Sequence, residues 1–167
     1  MSEVAIRHGR PEDLAALGAI EDSGAQTFAA MGQPLADGSP PSPPEQWAGA
    51  LENGLLWVAD DPEAGLVGFL AGQITADGLY IAEVDVLMER QRQGHGRRLM
   101  QVAIDWARRE RLAAVTLTTF RSIPFNAPFY ASMGFVELDP ATPHLAKTLA
   151  EEAANGFEDR CGMRLAL

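Results

Sequence analysis

The sequence contains little cysteine and no long apolar run, and both shortages exclude classes of protein. Cys161 is the one cysteine in 167 residues, so no internal disulfide can form and a reducing compartment fits. No apolar run approaches the ~18 residues of a membrane span, and Met1 to Arg10 contains no apolar signal core. We therefore expect a cytoplasmic protein that has no membrane partner.

Basic residues are also scarce, since 13 Lys and Arg face 23 Asp and Glu and the formal net charge is −10. Cationic surfaces drive nucleic-acid binding, so nucleic acid is not an expected partner. The balance is compatible with cationic substrates such as amines, although most acidic proteins are acidic for solubility alone. The length and the hydrophobic content of 47% predict one globular domain over residues 1–167.

The pattern of apolar residues predicts short strands before and after a basic helix. Strands are predicted over residues 4–7, 55–59, 65–75, 79–88, 113–119, 135–138 and 162–167. Helices are predicted from Pro11 with a second piece after Gly24, over 46–53, over 97–111, between Asn126 and Gly134, and, as a helix or lid, over 144–155. A right-handed crossover would place strand 113–119 parallel to strand 79–88.

The stretch 79–111 joins a strand, a glycine turn and a helix, which is a layout that binds anions. The first amides of a helix have no internal partners, and the helix dipole adds partial positive charge there. Gly94 and Gly96 allow close approach to the backbone, and seven of the 13 Lys and Arg lie in 90–111. This local basic cluster indicates a polyanionic ligand. The alternative is a plain turn with solvated arginines.

Two common phosphate-binding motifs do not fit this turn. A dinucleotide fingerprint needs a third glycine, and a P-loop needs Gly-Lys-Ser/Thr, which the sequence lacks. The turn Gln91-Arg-Gln-Gly94-His-Gly96 instead resembles the acetyl-CoA loop of the GNAT superfamily of N-acetyltransferases. A second stretch, Asn126-Ala-Pro-Phe-Tyr130-x-x-x-Gly134-Phe135, is similar to the other signature of that family and follows in the family's order.

The resemblance implies an α/β fold of the α+β kind and acetyl-CoA as the cosubstrate. The expected fold is one domain with a mixed, mostly antiparallel sheet of six to seven strands and about four helices. The sheet would splay at its centre, between strands 79–88 and 113–119, where the pantetheine arm would lie. The implied cofactor-binding residues are Val86, Leu87, Met88, Arg92, Gln93, Gly94, His95, Gly96, Arg97, Arg98 and Asn126. In most family members the asparagine stands seven residues before the tyrosine, where this chain has Ile123.

Two residues are candidates for proton transfer in the implied reaction. Glu83 lies three residues before the cofactor-binding backbone, where family members often carry an acid, and is the candidate general base. Asp85 shares its face of the strand, and Asp85 or a water chain could replace it. Both acids could instead be surface residues, or Glu83 could only orient the amine. Tyr130 is the candidate general acid for the leaving thiolate, or else an aromatic core residue.

Several other residues have a simpler interpretation than a role in catalysis or metal binding. His95, an implied cofactor contact, could instead be an exposed loop residue between its two glycines. His8 and His144 have no partners at metal-ligand spacing, so no metal is predicted. Cys161, in an expected edge segment, is interpreted as a buried or incidental thiol rather than an acyl carrier. The loop 32–46, with five prolines, is either a surface loop or a lid over the acceptor site.

The resemblance implies direct acetyl transfer from acetyl-CoA to an amine in a ternary complex. The alternatives are a non-catalytic acyl-CoA-binding regulator of the same fold and a scaffold that binds no cofactor. The sequence does not distinguish a small-molecule acceptor from a peptide, or a monomer from a homodimer.

Overall fold

The computed structural model describes residues 3–32 and 42–167, and within them the chain forms seven strands and five α-helices. The strands are β1 (Ala5–His8), β2 (Leu56–Asp61), β3 (Gly65–Thr75), β4 (Gly78–Val86), β5 (Ala114–Phe120), β6 (Val136–Glu137) and β7 (Arg160–Ala166). The helices are α1 (Leu14–Ala30), α2 (Ala48–Glu52), α3 (His95–Arg109), α4 (Ala127–Ser132) and α5 (Pro143–Ala154). Short 3-10 segments occur at Pro11–Asp13, Pro44–Trp47 and Met88–Arg90.

The strands form one mixed sheet in the order β1-β2-β3-β4-β5-β7-β6. β2 pairs antiparallel with β1 and β3, and β7 pairs antiparallel with β5 and β6. β4 and β5 run parallel, with Leu79 opposite Val115 and Tyr80 opposite Thr116. This parallel pair is the one that a right-handed crossover through α3 predicts. The expected fold class, a mixed and mostly antiparallel sheet, is confirmed.

The chain folds into two compact units. The first comprises Met1–Gly72 and Ala82–Asp105, and the second comprises Gln73–Ile81 and Trp106–Leu167. The core of the first unit consists of buried side chains from α1, β2, β3 and the segment before α2, namely Leu17, Ile20, Trp47, Leu56, Val58, Phe69 and Ala71. In the second unit, β5 and β7 pair along seven residues, from Ala114 opposite Ala166 to Phe120 opposite Arg160. The single domain over 1–167 stays a prediction.

The structure corrects three predicted boundaries. α1 continues through Gly24, so the predicted break after that residue is wrong. The strand predicted over 79–88 ends at Val86, because the chain turns through the 3-10 segment Met88–Arg90. The helix after the glycine turn begins at His95, two residues earlier than predicted.

Two sequence predictions concern segments outside these elements. Most of the loop predicted over 32–46 lies outside the described residues, apart from its ends. In the described part of the chain, no helix has both the length and the apolar composition that a membrane span needs.

Candidate active site

The glycine turn (residues 91–96) leads into the first turn of α3. Gly94 has a φ of +87°, a left-handed conformation that favours glycine over other residues. The Arg98 amide donates to the Gly94 carbonyl at 3.0 Å, so the amides of His95 and Gly96 precede the helical hydrogen bonds. A Cβ built on Gly94 meets no heavy atom within 4 Å, and one built on Gly96 meets only a valine methyl at 3.9 Å. The backbone at both glycines is therefore open to a ligand.

Two long-range contacts hold the glycine turn in place. The side chain of Gln91 donates from Nε2 to Thr27 Oγ1 at 3.0 Å and to the Val86 carbonyl at 3.1 Å. The Arg90 guanidinium pairs with Asp61 at the end of β2. The pKa of Asp61 is lowered to about 2, chiefly by the hydrogen bond from Arg90 and next by hydrogen bonds from two backbone amides. The charge of Arg90 therefore anchors the turn, and sequence reasoning missed both anchoring contacts.

His95 is buried, with 6% of its surface exposed, so the alternative interpretation as an exposed loop residue is wrong. As the first residue of α3 it points inward, and its Nε2 lies 3.2 Å from Gln93 Oε1. Its Nδ1 is buried and has no hydrogen-bond partner among the described residues. Burial, followed by the charges of Arg90 and Arg98, lowers the pKa of His95. The lowered pKa favours the neutral form of the imidazole.

The three arginines predicted to surround the phosphates have different surroundings. Arg92 and Arg97 are exposed, and Arg92 has a φ of +62°. Arg98 donates from Nη2 to the Val4 carbonyl at 2.7 Å and lies 3.7 Å from the Glu3 carboxylate. Arg98 thus ties α3 to the segment before β1, and its contact with a ligand stays a prediction.

The backbone predicted to hold the pantetheine arm already has partners. The Leu87 amide donates to the Val67 carbonyl at 2.9 Å. The Met88 amide donates to Ser23 Oγ at 2.8 Å, and the Val86 carbonyl accepts from Gln91. Met88 itself is exposed. A ligand that binds the Met88 amide must therefore displace the Ser23 hydroxyl.

Glu83 and Asp85 lie two residues apart in β4, and therefore on the same face of the strand. Burial, followed by the charges of Glu83 and then Glu21, raises the pKa of Asp85 well above its usual value. α1 covers this carboxyl, because a Cβ built on Gly24 would lie 2.5 Å from Asp85 Oδ1. Glu21, one turn earlier in α1, accepts a hydrogen bond from Trp47 Nε1.

Tyr130 lies in the second compact unit, where it is buried with 7% of its surface exposed. Its ring makes edge-to-face contacts with Phe129 and Phe135, at centroid distances of 5.2 and 5.9 Å. Asn126 stands at the N-cap position of α4, but its side chain makes no capping hydrogen bond, so the predicted side-chain cap is wrong. Its Oδ1 is buried without a hydrogen-bond partner among the described residues. Tyr130 thus has aromatic packing, and its role as an acid stays a prediction.

Cys161 is buried in β7, which lies between β5 and β6, so the expected edge position is wrong. Burial, followed by the charge of Glu137, raises the pKa of the Cys161 thiol. A buried thiol with a raised pKa is a poor nucleophile, which fits the interpretation of a buried or incidental thiol.

Comparison with known proteins places this site in a family. A family model described as Acetyltransferase (GNAT) family matches residues 26–135, which is more than half of the chain. That range includes the glycine turn, Glu83 and Tyr130.

Solved structures with a similar fold include several N-acetyltransferases. The ribosomal-protein-S18-alanine N-acetyltransferase from Escherichia coli has 22% identity and a TM-score of 0.70, over 97% of this chain and 92% of that chain. The PaiA N-acetyltransferase from Thermoplasma acidophilum, in complex with coenzyme A, has 19% identity and a TM-score of 0.70, over 100% of both chains. The ribosomal-protein-alanine N-acetyltransferase from Brucella melitensis has 18% identity and a TM-score of 0.70, over 98% and 100%. These likenesses show the fold, and with the family match they show that the chain belongs to the GNAT family of acetyltransferases.

Proposed function

We propose that this protein transfers the acetyl group of acetyl-CoA directly to a primary amine, in a ternary complex. The observation that carries the proposal is the glycine turn at the start of α3, where open backbone at Gly94 and Gly96 meets the N-terminus of a 15-residue helix. Helix N-termini of this kind bind phosphate groups through backbone amides. The family match and a related fold that binds coenzyme A in the Thermoplasma structure support this interpretation.

Acetyl-CoA is the acetyl donor, and its pyrophosphate would bind the backbone amides from Arg92 to Arg97, with Arg98 nearby. Gln93 and His95 belong to that turn, and Arg92 and Arg97 supply exposed positive charge. An amide contact at a helix N-terminus is stabilised by the helix dipole, by up to about 1 kcal/mol for an exposed anion. Asn126, with its unpartnered buried Oδ1, is a further proposed contact of the cofactor.

The acyl end of the cofactor would lie on the backbone of Val86, Leu87 and Met88. The Met88 amide donates a hydrogen bond of 2.8 Å to Ser23 Oγ in the free protein. In the complex it would donate to the thioester carbonyl instead. An amide aimed at a developing oxyanion contributes on the order of 10²–10³ in rate. The exchange of one neutral acceptor for another costs little in the ground state. The amide would therefore act mainly in the transition state.

Glu83 is the proposed general base. Most amines have a pKa near ~10 and are charged at neutral pH, so one proton must leave before the nitrogen can attack. Attack on the carbonyl carbon forms the C–N bond, the C–S bond breaks, and the nitrogen loses a second proton. The thiolate takes one proton from the general acid, so one proton is released in total. Tyr130 is proposed as that acid, since a phenol with a pKa near ~10 can protonate a leaving thiolate.

The acceptor is proposed to be an amine on a small molecule or a peptide. The two ribosomal-protein-alanine acetyltransferases among the similar structures are named for a protein acceptor. The net charge of −10 and the carboxyl groups of Glu21 and Glu83 favour a cationic acceptor over an acidic one. We further propose one domain over 1–167, acting as a cytoplasmic monomer or homodimer without nucleic acid. The single cysteine supports the compartment.

An acetyl-transfer screen tests the proposed function. The purified chain is incubated with acetyl-CoA and a panel of small amines, amino acids, aminoglycosides and peptides with free N-termini. Release of the CoA thiol and the mass of the acetylated product are then measured. We expect transfer to at least one class. Calorimetric binding of acetyl-CoA without transfer to any class would support the acyl-CoA-binding regulator instead. No thermal shift with CoA would contradict both.

A further inference from the structure

The Ser23 hydroxyl occupies the place on the Met88 amide that the thioester carbonyl is proposed to take. Ser23 Oγ accepts a hydrogen bond from the Met88 amide at 2.8 Å. A strong N–H hydrogen bond needs its acceptor close to the N–H axis, so the carbonyl oxygen would occupy the position that Oγ holds in the free protein. The Ser23 side chain therefore remains next to the carbonyl after the exchange.

α1 is held at this place by contacts that the exchange does not break. Thr27, four residues after Ser23 and so on the same face of the helix, accepts a hydrogen bond from the Gln91 side chain at 3.0 Å. Gly24 packs against Asp85, since a Cβ built on Gly24 would lie 2.5 Å from Asp85 Oδ1. Ser23 can therefore leave the Met88 amide by rotation of its side chain while the helix stays in position.

The Ser23 hydroxyl also has a proton to donate. A serine hydroxyl is a single donor that can accept through two lone pairs. Ser132 and Thr148 donate their protons to carbonyl groups of their own helices. In the described part of the chain, the Ser23 hydroxyl accepts the Met88 hydrogen bond and donates none to α1. Its O–H is therefore available to a ligand.

One change of rotamer takes the Ser23 hydroxyl from the amide to the oxygen that replaces it there. The staggered rotamers of a serine side chain are 120° apart, so such a change moves Oγ by roughly 2.3 Å. An O–H···O hydrogen bond spans roughly 2.5–3.0 Å. After the rotation, Oγ lies close to hydrogen-bonding distance of its own former position, which the carbonyl oxygen now fills.

We propose that Ser23 is a catalytic residue that donates its O–H to the thioester carbonyl oxygen, beside the Met88 amide. This inference rests on the proposed function. When the amine nitrogen attacks the carbonyl carbon, the C=O electron pair moves onto the oxygen, and the two donors stabilise its negative charge. That pair returns to the carbon as the C–S bond breaks, and Ser23 keeps its proton throughout. Since the charge is largest in the transition state, the hydroxyl contributes mainly to kcat.

The role of Ser23 is tested by the kinetics of two substitutions on α1. Ser23→Ala should lower kcat at least tenfold at saturating acetyl-CoA and amine, whereas its affinity for acetyl-CoA should not fall. Thr27→Val removes the other hydroxyl and should weaken acetyl-CoA binding by about threefold, because Gln91 loses an anchor. Ser122→Ala is the control at an exposed serine. A kcat of Ser23→Ala within twofold of the parent would overturn the proposal.

A spectroscopic measurement tests the hydrogen bond without turnover. Acetyl-CoA labelled with carbon-13 at the thioester carbonyl is bound to the protein without an amine, and the isotope-edited infrared band of the carbonyl is recorded. Each hydrogen bond to the oxygen lowers the stretching frequency. We expect a higher frequency in Ser23→Ala than in the parent and in Ser122→Ala. Equal frequencies in all three proteins would overturn the proposal, and a band from bound acetyl-CoA shows that the variant is folded at this site.

The failure of this proposal and the failure of the proposed function are distinguishable. A parent protein that binds acetyl-CoA but acetylates no amine would overturn the proposed function and the catalytic role of Ser23 together. If the parent acetylates an amine, and Ser23→Ala has the same kcat and the same carbonyl frequency, only the role of Ser23 is overturned.

Discussion

The Met88 amide donates a hydrogen bond of 2.8 Å to the Ser23 hydroxyl, which joins α1 to the backbone after β4. The same amide is the proposed donor to the thioester carbonyl, so cofactor and hydroxyl compete for one N–H. The chain thus holds this donor in position before the cofactor arrives, as expected for a preorganised site.

Ser23→Ala should raise the affinity for acetyl-CoA by up to about threefold, because the ligand no longer displaces the hydroxyl and a water can serve the exposed amide instead. Isothermal titration calorimetry measures the change, with Ser122→Ala as a control at an exposed serine of the second unit. A tenfold loss of affinity in Ser23→Ala alone would mean that the hydroxyl itself holds the ligand.

Gly96→Val should abolish most acetyl-CoA binding while the fold is kept. A Cβ at Gly96 meets only one methyl at 3.9 Å, so the folded protein has room for the side chain and the ligand does not. We expect at least a tenfold loss of affinity, or about 1.4 kcal/mol. Gly49→Val is the matched control, because Gly49 is also the second residue of a helix and its Cβ meets nothing within 4 Å. Unchanged binding in a folded Gly96→Val would contradict the cofactor site.

The features that local sequence determines were predictable. The alternation of β4 placed Glu83 and Asp85 on one face, and the strand–helix–strand order predicted the parallel pair of β4 and β5. The glycine turn was found because Gly94 and Gly96 stand in one contiguous pattern. Each of these inferences depends on residues that are close in the chain.

The features that depend on distant residues were not predictable. Gly24 resembled a helix break because only the folded chain brings Asp85 against it. His95 resembled an exposed loop residue, since its burial depends on where α3 begins. Ser23 gave no signal, and the motif that includes Gln91 did not reveal its contact with Thr27, because the partners lie on other elements.

The space at Gly24 should determine how the chain tolerates alanine. Gly49→Ala should raise the free energy of unfolding by roughly 0.5–1 kcal/mol, the usual gain for this change within a helix. Gly24→Ala should lower it by about 1–3 kcal/mol, since its methyl group meets Asp85 Oδ1 at 2.5 Å. Urea denaturation of the parent and both variants gives the comparison. Equal stabilisation by the two alanines would show that the carboxyl does not need this space.

The raised pKa of Asp85, caused first by burial and then by Glu83, predicts how stability depends on pH. Above about pH 4 the unfolded chain releases this proton while the folded protein keeps it. Stability from this group is therefore present below pH 4 and is lost as pH rises through the folded pKa. Asp85→Asn cannot ionise, so its advantage in the free energy of unfolding over the parent should grow with pH across that window. Parallel curves in a series of urea titrations would contradict the shift.

Glu83 and Tyr130 should differ in how their loss depends on pH. Glu83→Gln should lower kcat mainly below the pKa of the acceptor amine, where a proton must be removed, and higher pH should restore part of the rate by supplying neutral amine. Tyr130→Phe keeps the contacts with Phe129 and Phe135 but removes the proton donor, so high pH should not restore its rate.

Each of these two substitutions should cost on the order of 10²-fold, the usual size of one acid–base contribution. The measurement is a pH–rate profile of the parent and both variants with one accepted amine, and Phe129→Leu serves as a packing control that keeps the Tyr130 hydroxyl. If both profiles run parallel to the parent with small losses, neither residue transfers a proton. The reaction would then depend on water and on the positioning of the amine against the thioester, which can supply a large share of the rate without any side-chain acid or base.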